Sequence, residues 1–354
     1  MQKRKALLVG SLPFDNEKEC MSRALDMLGS KLLCVPDGEI GEKTPAFPKG
    51  DRIAWVVYAL EKITQDEKSW KIVKQPTRGA DGMAIDYDHF QKLTPLRTPS
   101  EMPAHVHLGY DKYFEKSYPV FQGLLQEKEL PKMKFQVGFP TGFAMGFAFA
   151  SQIQWLRYTY AFNTVFAREI NAIKAQAGDN VIIQLEVPAE LYAAHMLPAL
   201  LTGLALKPIL DLLSKIDPGA EIGIHLCLGD FHNEALIHPK TLDRIVRFSN
   251  LLVETWPPQH KLAYMHYPFA EAQMPPSEKA AHYKPLKDIQ LPGDTRFVAG
   301  FVHEAYDLDR NRVIRDNIEN GRGSIVDIAC SCGLGRRTPA IASRLMQFMA
   351  ALSE

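Results

Sequence analysis

Two short patterns carry the most concentrated chemistry in the 354-residue chain: His225-Leu-Cys227 and Cys330-Ser-Cys332-Gly333. Residues two apart on an extended strand point to one face, so an imidazole and a thiolate would converge there. A His/Cys/Cys set suits Zn²⁺, which prefers tetrahedral N/S coordination. Three protein ligands leave a fourth position for substrate, and a thiol bound there loses its proton at neutral pH. His225, Cys227 and Cys332 are therefore the candidate metal ligands. The same residues also admit a plainer reading, with Cys227 and Cys330 as small buried residues and His225 as a hydrogen-bonded core histidine.

Carboxylates and further histidines surround these patterns in sequence. Asp37-Gly38-Glu39 places two acids on a glycine turn. They would hold a substrate amine or act as acid and base; a solvated turn with a capping Asp is the alternative. Glu186 ends the apolar run Val181-Ile-Ile-Gln-Leu185, which implies burial. A buried carboxylate needs a cation or donors, from a ligand ammonium or from a neighbouring Arg or Lys. Gly10-Ser11 offers backbone N–H groups and a hydroxyl to a substrate carboxylate. His266 and His303 follow apolar runs and, with Glu186, are the candidate catalytic groups; His282 is a second proton-transfer candidate beside His303.

The elements that must position these groups are legible as periodic runs. Eight apolar, β-rich runs cover Ala6–Gly10, Lys31–Val35, Lys134–Gly138, Val181–Glu186, Ile222–Cys227, Leu262–His266, Phe297–Val302 and Ser324–Cys330. Several are continuous rather than alternating, as parallel strands covered on both faces require. Helical spacing falls between most of them, over Glu17–Leu28, Trp155–Gln176, Thr241–Glu254, Asn311–Glu319 and Thr338–Leu352. Eight strands alternating with helices predict one α/β domain over residues 1–354, a (β/α)₈ TIM barrel. Long insertions are expected after strand two, about 40–133, and after strand six, 268–292. Within the first, Trp55–Lys62 looks helical and Ala104–Leu108 looks like an extra short strand. The apolar stretch Leu197–Leu213 reads as a buried helix pair or a kinked core helix, broken by Pro198, Gly203, Lys207 and Pro208. In such barrels chemistry sits at the C-terminal strand ends, where most of the residues above fall.

Composition narrows the function classes. Lys+Arg and Asp+Glu are both 41, so formal net charge is zero, which argues against a nucleic-acid binder or a polybasic membrane-surface protein. The opening Met1-Gln-Lys-Arg-Lys5 precedes an apolar run too short for a signal segment, and no run has the length of a spanning helix. A cytoplasmic protein acting on a small molecule is expected. Five cysteines in that setting do not read as a disulfide framework. The Tyr- and Pro-rich insertions would serve as a lid or as a contact in a homo-oligomer.

Taken in order, five pieces resemble the cobalamin-independent methionine synthase family in its catalytic C-terminal barrel. They are Val9-Gly-Ser-Leu-Pro13, Asp37-Gly-Glu39, Gln184-Leu-Glu-Val-Pro-Ala189, Ile224-His-Leu-Cys227 and Ser331-Cys-Gly-Leu334. The fold superfamily also includes uroporphyrinogen decarboxylase. The resemblance implies zinc on His225, Cys227 and Cys332. It also implies Gly10-Ser11 on a substrate carboxylate and Glu39 and Glu186 on its amine. The family's further zinc ligand, a Glu at the end of strand six, has His266 as its nearest candidate here. The family's catalytic His after strand seven has its approximate match in His303, and Lys43 is the basic side chain nearest to its Arg after Gly-Glu. The family stacks a folate-type methyl donor on a Trp that has no counterpart in Thr141-Gly-Phe-Ala-Met145, where Phe143 is left to stack on something flat.

The expected function is zinc-dependent transfer of a methyl or alkyl group to a thiol or similar soft nucleophile. The alternative is a metal-independent lyase or decarboxylase of a carboxylated small molecule. It would use Asp37, Glu186, His266 and the pair Arg336/Arg337, since Arg binds carboxylates bidentately. A barrel retained only for binding is the third possibility.

Overall fold

The computed structural model describes residues 3–53, 55–80, 82–229, 231–232 and 234–354. Eight parallel strands make the central sheet: β1 (Ala6–Leu7), β2 (Val35–Pro36), β5 (Phe135–Pro140), β6 (Val181–Glu186), β7 (Glu221–His225), β8 (Lys261–Pro268), β9 (Arg296–Gly300) and β10 (Asp327–Ala329). Their order is β1-β10-β9-β8-β7-β6-β5-β2. One parallel bridge, Ala6 to Leu32, joins the two ends, with the Leu33 N–H donating to Ala6 O at 2.8 Å. Each of the eight apolar runs holds or abuts one strand, and the architecture is an α/β, TIM-barrel-like one.

The first strand is shorter than its apolar run. The ladder ends at Leu7, and the next two carbonyls are met by side chains instead. Gln136 Nε2 donates to Leu8 O and Val9 O at 3.1 and 2.7 Å, and Gln184 Nε2 donates to Val9 O at 2.6 Å. Tyr264 Oη donates to Gln184 Oε1 at 2.9 Å, which fixes that amide's orientation. These polar groups are buried beside a small apolar cluster that includes Leu7, Cys34, Ile182, Val298 and Ala329, so each needs its partner.

Helices cover the sheet. α1 (Glu17–Leu28) starts where the Asn16 side chain accepts the Glu19 N–H, and its apolar face buries Met21, Ala24, Leu25 and Leu28. The excursion between β2 and β5 holds α2 (Trp55–Thr64), an antiparallel pair β3 (Trp70–Lys74) and β4 (Lys92–Pro95), and α3 (Tyr110–Glu127). The strand expected at Ala104–Leu108 is absent. Met102–Ala104 is a short 3₁₀ turn, and the Leu108 and Tyr110 N–H groups donate to the buried Glu169 carboxylate.

α4 (Gln152–Ala177) runs for 26 residues and stops at Gly178, whose φ of 56° few other residues adopt. α5 (Pro188–Met196) follows β6. The stretch expected to be a buried helix is a 3₁₀ segment, Ala199–Leu206, running into α6 (Lys207–Lys215). The 3₁₀ part is largely exposed, with Leu200 at 90%, whereas Leu206 and, on α6, Ile209, Leu212 and Leu213 are buried. Pro208 sits in the first turn of α6, where its missing N–H costs nothing. α7 (Asp243–Glu254), α8 (Leu308–Arg322) and α9 (Pro339–Leu352) complete the coat. No helix among the described residues is long and apolar enough to cross a membrane.

Candidate functional site

The strand order sets β7, β8, β9 and β10 side by side, so their C-terminal ends form one rim. His225 is the last residue of β7; Cys227 lies two residues beyond, and Cys332 lies in the loop after β10. The sulfurs of Cys227 and Cys332 are 3.9 Å apart, and Cys332 Sγ is 3.7 Å from His225 Nε2. All three ligand atoms lie within 4.8 Å of one another. Zinc bonds of about 2.3 Å to sulfur and 2.0–2.1 Å to nitrogen, at tetrahedral angles, place S and S about 3.8 Å apart and S and N about 3.6 Å apart. The preformed triangle fits that cation. Both cysteines are free thiols. The Gly229 N–H points at Cys227 Sγ at 3.3 Å.

Cys330 and Cys332 part company. The Cys330 sulfur stands outside the triangle and is buried, which pushes its thiol up to about 12. His266, the nearest candidate for a fourth ligand, stands behind His225. Its Nδ1 is 2.9 Å from His225 Nδ1, and its Nε2 is 2.9 Å from Cys330 O. Burial holds His266 down at about 4, and burial with the neighbouring His266 holds His225 well below the usual range. Both rings are neutral at pH 7.

A cleft open to solvent lies on this triangle. Cys227 and Cys332 form part of its lining together with Gly10, Ser11, Glu39, Glu186 and Arg336. The two carboxylates converge across the bare face of Gly138. A Cβ there would lie 2.9 Å from Glu39 Oε1 and 3.0 Å from Glu186 Oε1. Burial first, and then the facing Glu186, push the Glu39 carboxyl well above its usual range. Two acids this close favour a cation between them, and a ligand ammonium would ionise both. Glu39 also adopts φ 54°, a left-handed conformation that costs a non-glycine residue energy and is held by its surroundings.

Asp37 supplies that hold instead of contacting ligand. Its Oδ1 accepts the Glu39 N–H at 2.9 Å. Its Oδ2 accepts from Arg52 Nη1 and from Ser117 Oγ, both at 2.9 Å. The Asp-Gly-Glu turn is thus buried and structural on its first residue and faces the cavity with its last. Arg336 and Arg337 divide similarly. Arg336 lines the cavity, whereas Arg337 Nε binds Glu304 at 2.9 and 3.0 Å.

Three expectations are redirected. His303 has both ring nitrogens committed to backbone: the Ala305 N–H donates to Nδ1 at 3.1 Å, and Nε2 donates to Ala272 O at 3.0 Å. It ties the 268–292 insertion down. His282 lines a separate outer groove with Pro239 and Pro285. Phe143 packs on Trp155, with ring centroids 4.8 Å apart, and its carbonyl accepts the indole N–H.

The aromatic wall of the cavity comes from Tyr87, Phe90, Phe147 and Phe231. Phe90 and Phe231 touch with centroids 4.7 Å apart, and Tyr87 lies 5.5 Å from Phe231. Tyr87 and Phe90 belong to the excursion after β2 and Phe231 to a loop after β7, where no period flags them.

One buried acid beside the site titrates in the neutral range. Glu190, on α5, accepts from Thr141 Oγ1, and its Oε2 meets no hydrogen-bond partner among the described residues. Burial pushes it up to about 7 from 4.5. The folded chain then holds this proton more tightly than the unfolded chain. Stability is full below about pH 4.5 and is lost as pH rises through about 7. Glu190→Gln should gain up to about 3 kcal/mol over wild type between pH 5 and 8. Denaturant midpoints at both values check it; an equal pH response in the two proteins would refute it.

No protein-family model and no curated protein matches the chain. Its fold is similar to that of a solved B12-independent methionine synthase from Shewanella sp. W3-18-1 in complex with selenomethionine. The TM-score is 0.61 at 11% identity, over 99% of this chain and 97% of that one. At this identity the likeness shows the fold alone.

Proposed function

We propose that this chain is a zinc-dependent transferase that moves a methyl or alkyl group onto a thiol of a small, amino-acid-like acceptor. The observation that carries the reading is the His225–Cys227–Cys332 triangle, whose 3.7 and 3.9 Å edges suit tetrahedral zinc and leave one corner facing the cavity. Zinc held there would supply a thiolate nucleophile at neutral pH. The chain's own residues position the reactants. Glu39 and Glu186 take the acceptor's ammonium, and Ser11 with the Gly10 backbone takes its carboxylate. Arg52 and, more weakly, Arg336 draw the Glu39 carboxyl down against burial. The wall of Tyr87, Phe90, Phe147 and Phe231 excludes water and packs the apolar part of the donor. As the acceptor sulfur bonds to the donor carbon, the bond from that carbon to its carrier breaks, and the carrier leaves with the electron pair. The likeness to a methionine synthase supports this class of transfer.

Titrating metal-free protein with Co²⁺ tests the reading. One equivalent should bind with a sulfur-to-metal charge-transfer band, and added thiol acceptors should shift the visible bands. A chain that takes up neither Co²⁺ nor Zn²⁺ would end this proposal. Turnover that survives chelation would favour a lyase built on Glu186 and Arg336.

A further inference from the structure

We infer that His266 is a positioning residue which, with the Cys330 carbonyl, fixes the tautomer of His225 and is not itself a metal ligand. The inference deepens the zinc reading above and rests on it only in its metal-binding arm.

The argument is one of donors and acceptors. A carbonyl oxygen only accepts, so the 2.9 Å contact between His266 Nε2 and Cys330 O places a proton on that nitrogen. With one proton on the ring, His266 Nδ1 carries a lone pair. It faces His225 Nδ1 at 2.9 Å, so the proton between them belongs to His225. His225 Nε2 is then left as a lone pair, and this is the atom 3.7 Å from Cys332 Sγ. Reversing the protons would set a lone pair against the carbonyl. The carbonyl of one rim loop therefore dictates which nitrogen of a ring three strands away is ready for a cation. In most metal sites a carboxylate or a carbonyl orients the ligating imidazole directly; here a second imidazole relays it.

Two further features fit this role. The rings meet edge to face, 4.7 Å between centroids and 61° between planes, so His266 points at the back of His225 and away from the sulfurs. Gly300, on β9, keeps the space: a Cβ there would stand 2.4 Å from His266 Nε2 and 3.0 Å from Cys330 O. A side chain at 300 would wedge this hydrogen bond apart. Keeping His266 off the cation also leaves three protein ligands and two thiolate charges against the metal's two.

The test begins on metal-free, ¹⁵N-labelled protein. Long-range ¹⁵N–¹H spectra, assigned with His225→Gln and His266→Asn, should show His225 protonated on Nδ1 and His266 on Nε2. His225 protonated on Nε2 would overturn the inference. Removing the acceptor in His266→Phe should weaken Co²⁺ binding about 10- to 100-fold. His266→Asn, whose amide oxygen can replace the Nδ1 lone pair, should recover most of the affinity. Gly300→Ala, which leaves both imidazoles in the chain but crowds His266 Nε2, should mimic His266→Phe. X-ray absorption on zinc-loaded wild type should count one imidazole; two imidazoles, falling to one in His266→Phe, would overturn the assignment. Should the chain bind no metal at all, the zinc proposal fails while the metal-free spectra still decide the relay.

Discussion

Cys227→Ala should purify without metal after dialysis, and Cys332→Ala should do the same. Each substitution would remove one thiolate from the proposed three-ligand set and leave a net positive, two-coordinate corner. Structural zinc sites bind with about 10–16 kcal/mol in total, so one ligand in three or four is worth a loss on the order of a thousandfold. The fold should survive, because a thiol-to-methyl change removes little volume at a rim already open to the cavity. Cys330→Ala provides the internal control. Its sulfur lies outside the triangle while its backbone carbonyl holds His266, and alanine keeps a carbonyl. Elemental analysis should read about one metal per chain for wild type and Cys330→Ala, and near zero for the other two. Full metal in Cys227→Ala would remove the triangle from consideration.

The second large effect concerns stability. Arg52→Leu should cost about 3–5 kcal/mol, because it leaves the Asp37 carboxylate buried without its cation. Burial alone would push the Asp37 carboxyl up; Arg52, with the Glu39 N–H and Ser117, outweighs it and holds it below its usual range. The pair therefore stabilises the fold above the unfolded carboxyl's pKa, and the contribution fades as pH falls below about 4. Arg52 also lies over the Tyr113 ring at 4.4 Å, so leucine loses that contact too. Combining Arg52→Leu with Asp37→Asn should restore part of the loss, since the orphaned charge is then gone. Urea midpoints across the four proteins check this. Equal midpoints for wild type and Arg52→Leu at pH 7 would contradict it.

Much of the fold was legible because parallel strands buried on both faces leave continuous apolar runs. Val181–Glu186 is such a run, and all six of its residues are buried. The clustering of His225, Cys227 and Cys332 was legible from residue type and strand position: Cys and His at strand ends are scarce, and strand ends of a barrel meet. What sequence cannot show is which nitrogen faces what. His266 and His303 look alike as histidines after apolar runs, yet one serves a neighbouring imidazole and the other two backbone groups. Phe143 resembled a platform until Trp155, a full turn into the next helix, took its face. Tyr87 and Phe90 lay hidden in an excursion with no period. Ala104–Leu108 makes no strand because its donors go elsewhere: Ala104, His105 and Val106 donate to carbonyls of the turn before them, and Leu108 donates to the distant Glu169.

The short first strand has a lasting implication. Past Leu7 it is held by the amides of Gln136 and Gln184, where a barrel ordinarily uses main-chain rungs. A main-chain rung survives almost any replacement of its residue. An amide rung vanishes with a single codon change. The joint at Leu8 and Val9 is thus heritable in a way the other joints are not: drift at two glutamines would loosen it, while Ser11 keeps its main-chain tie to Leu334.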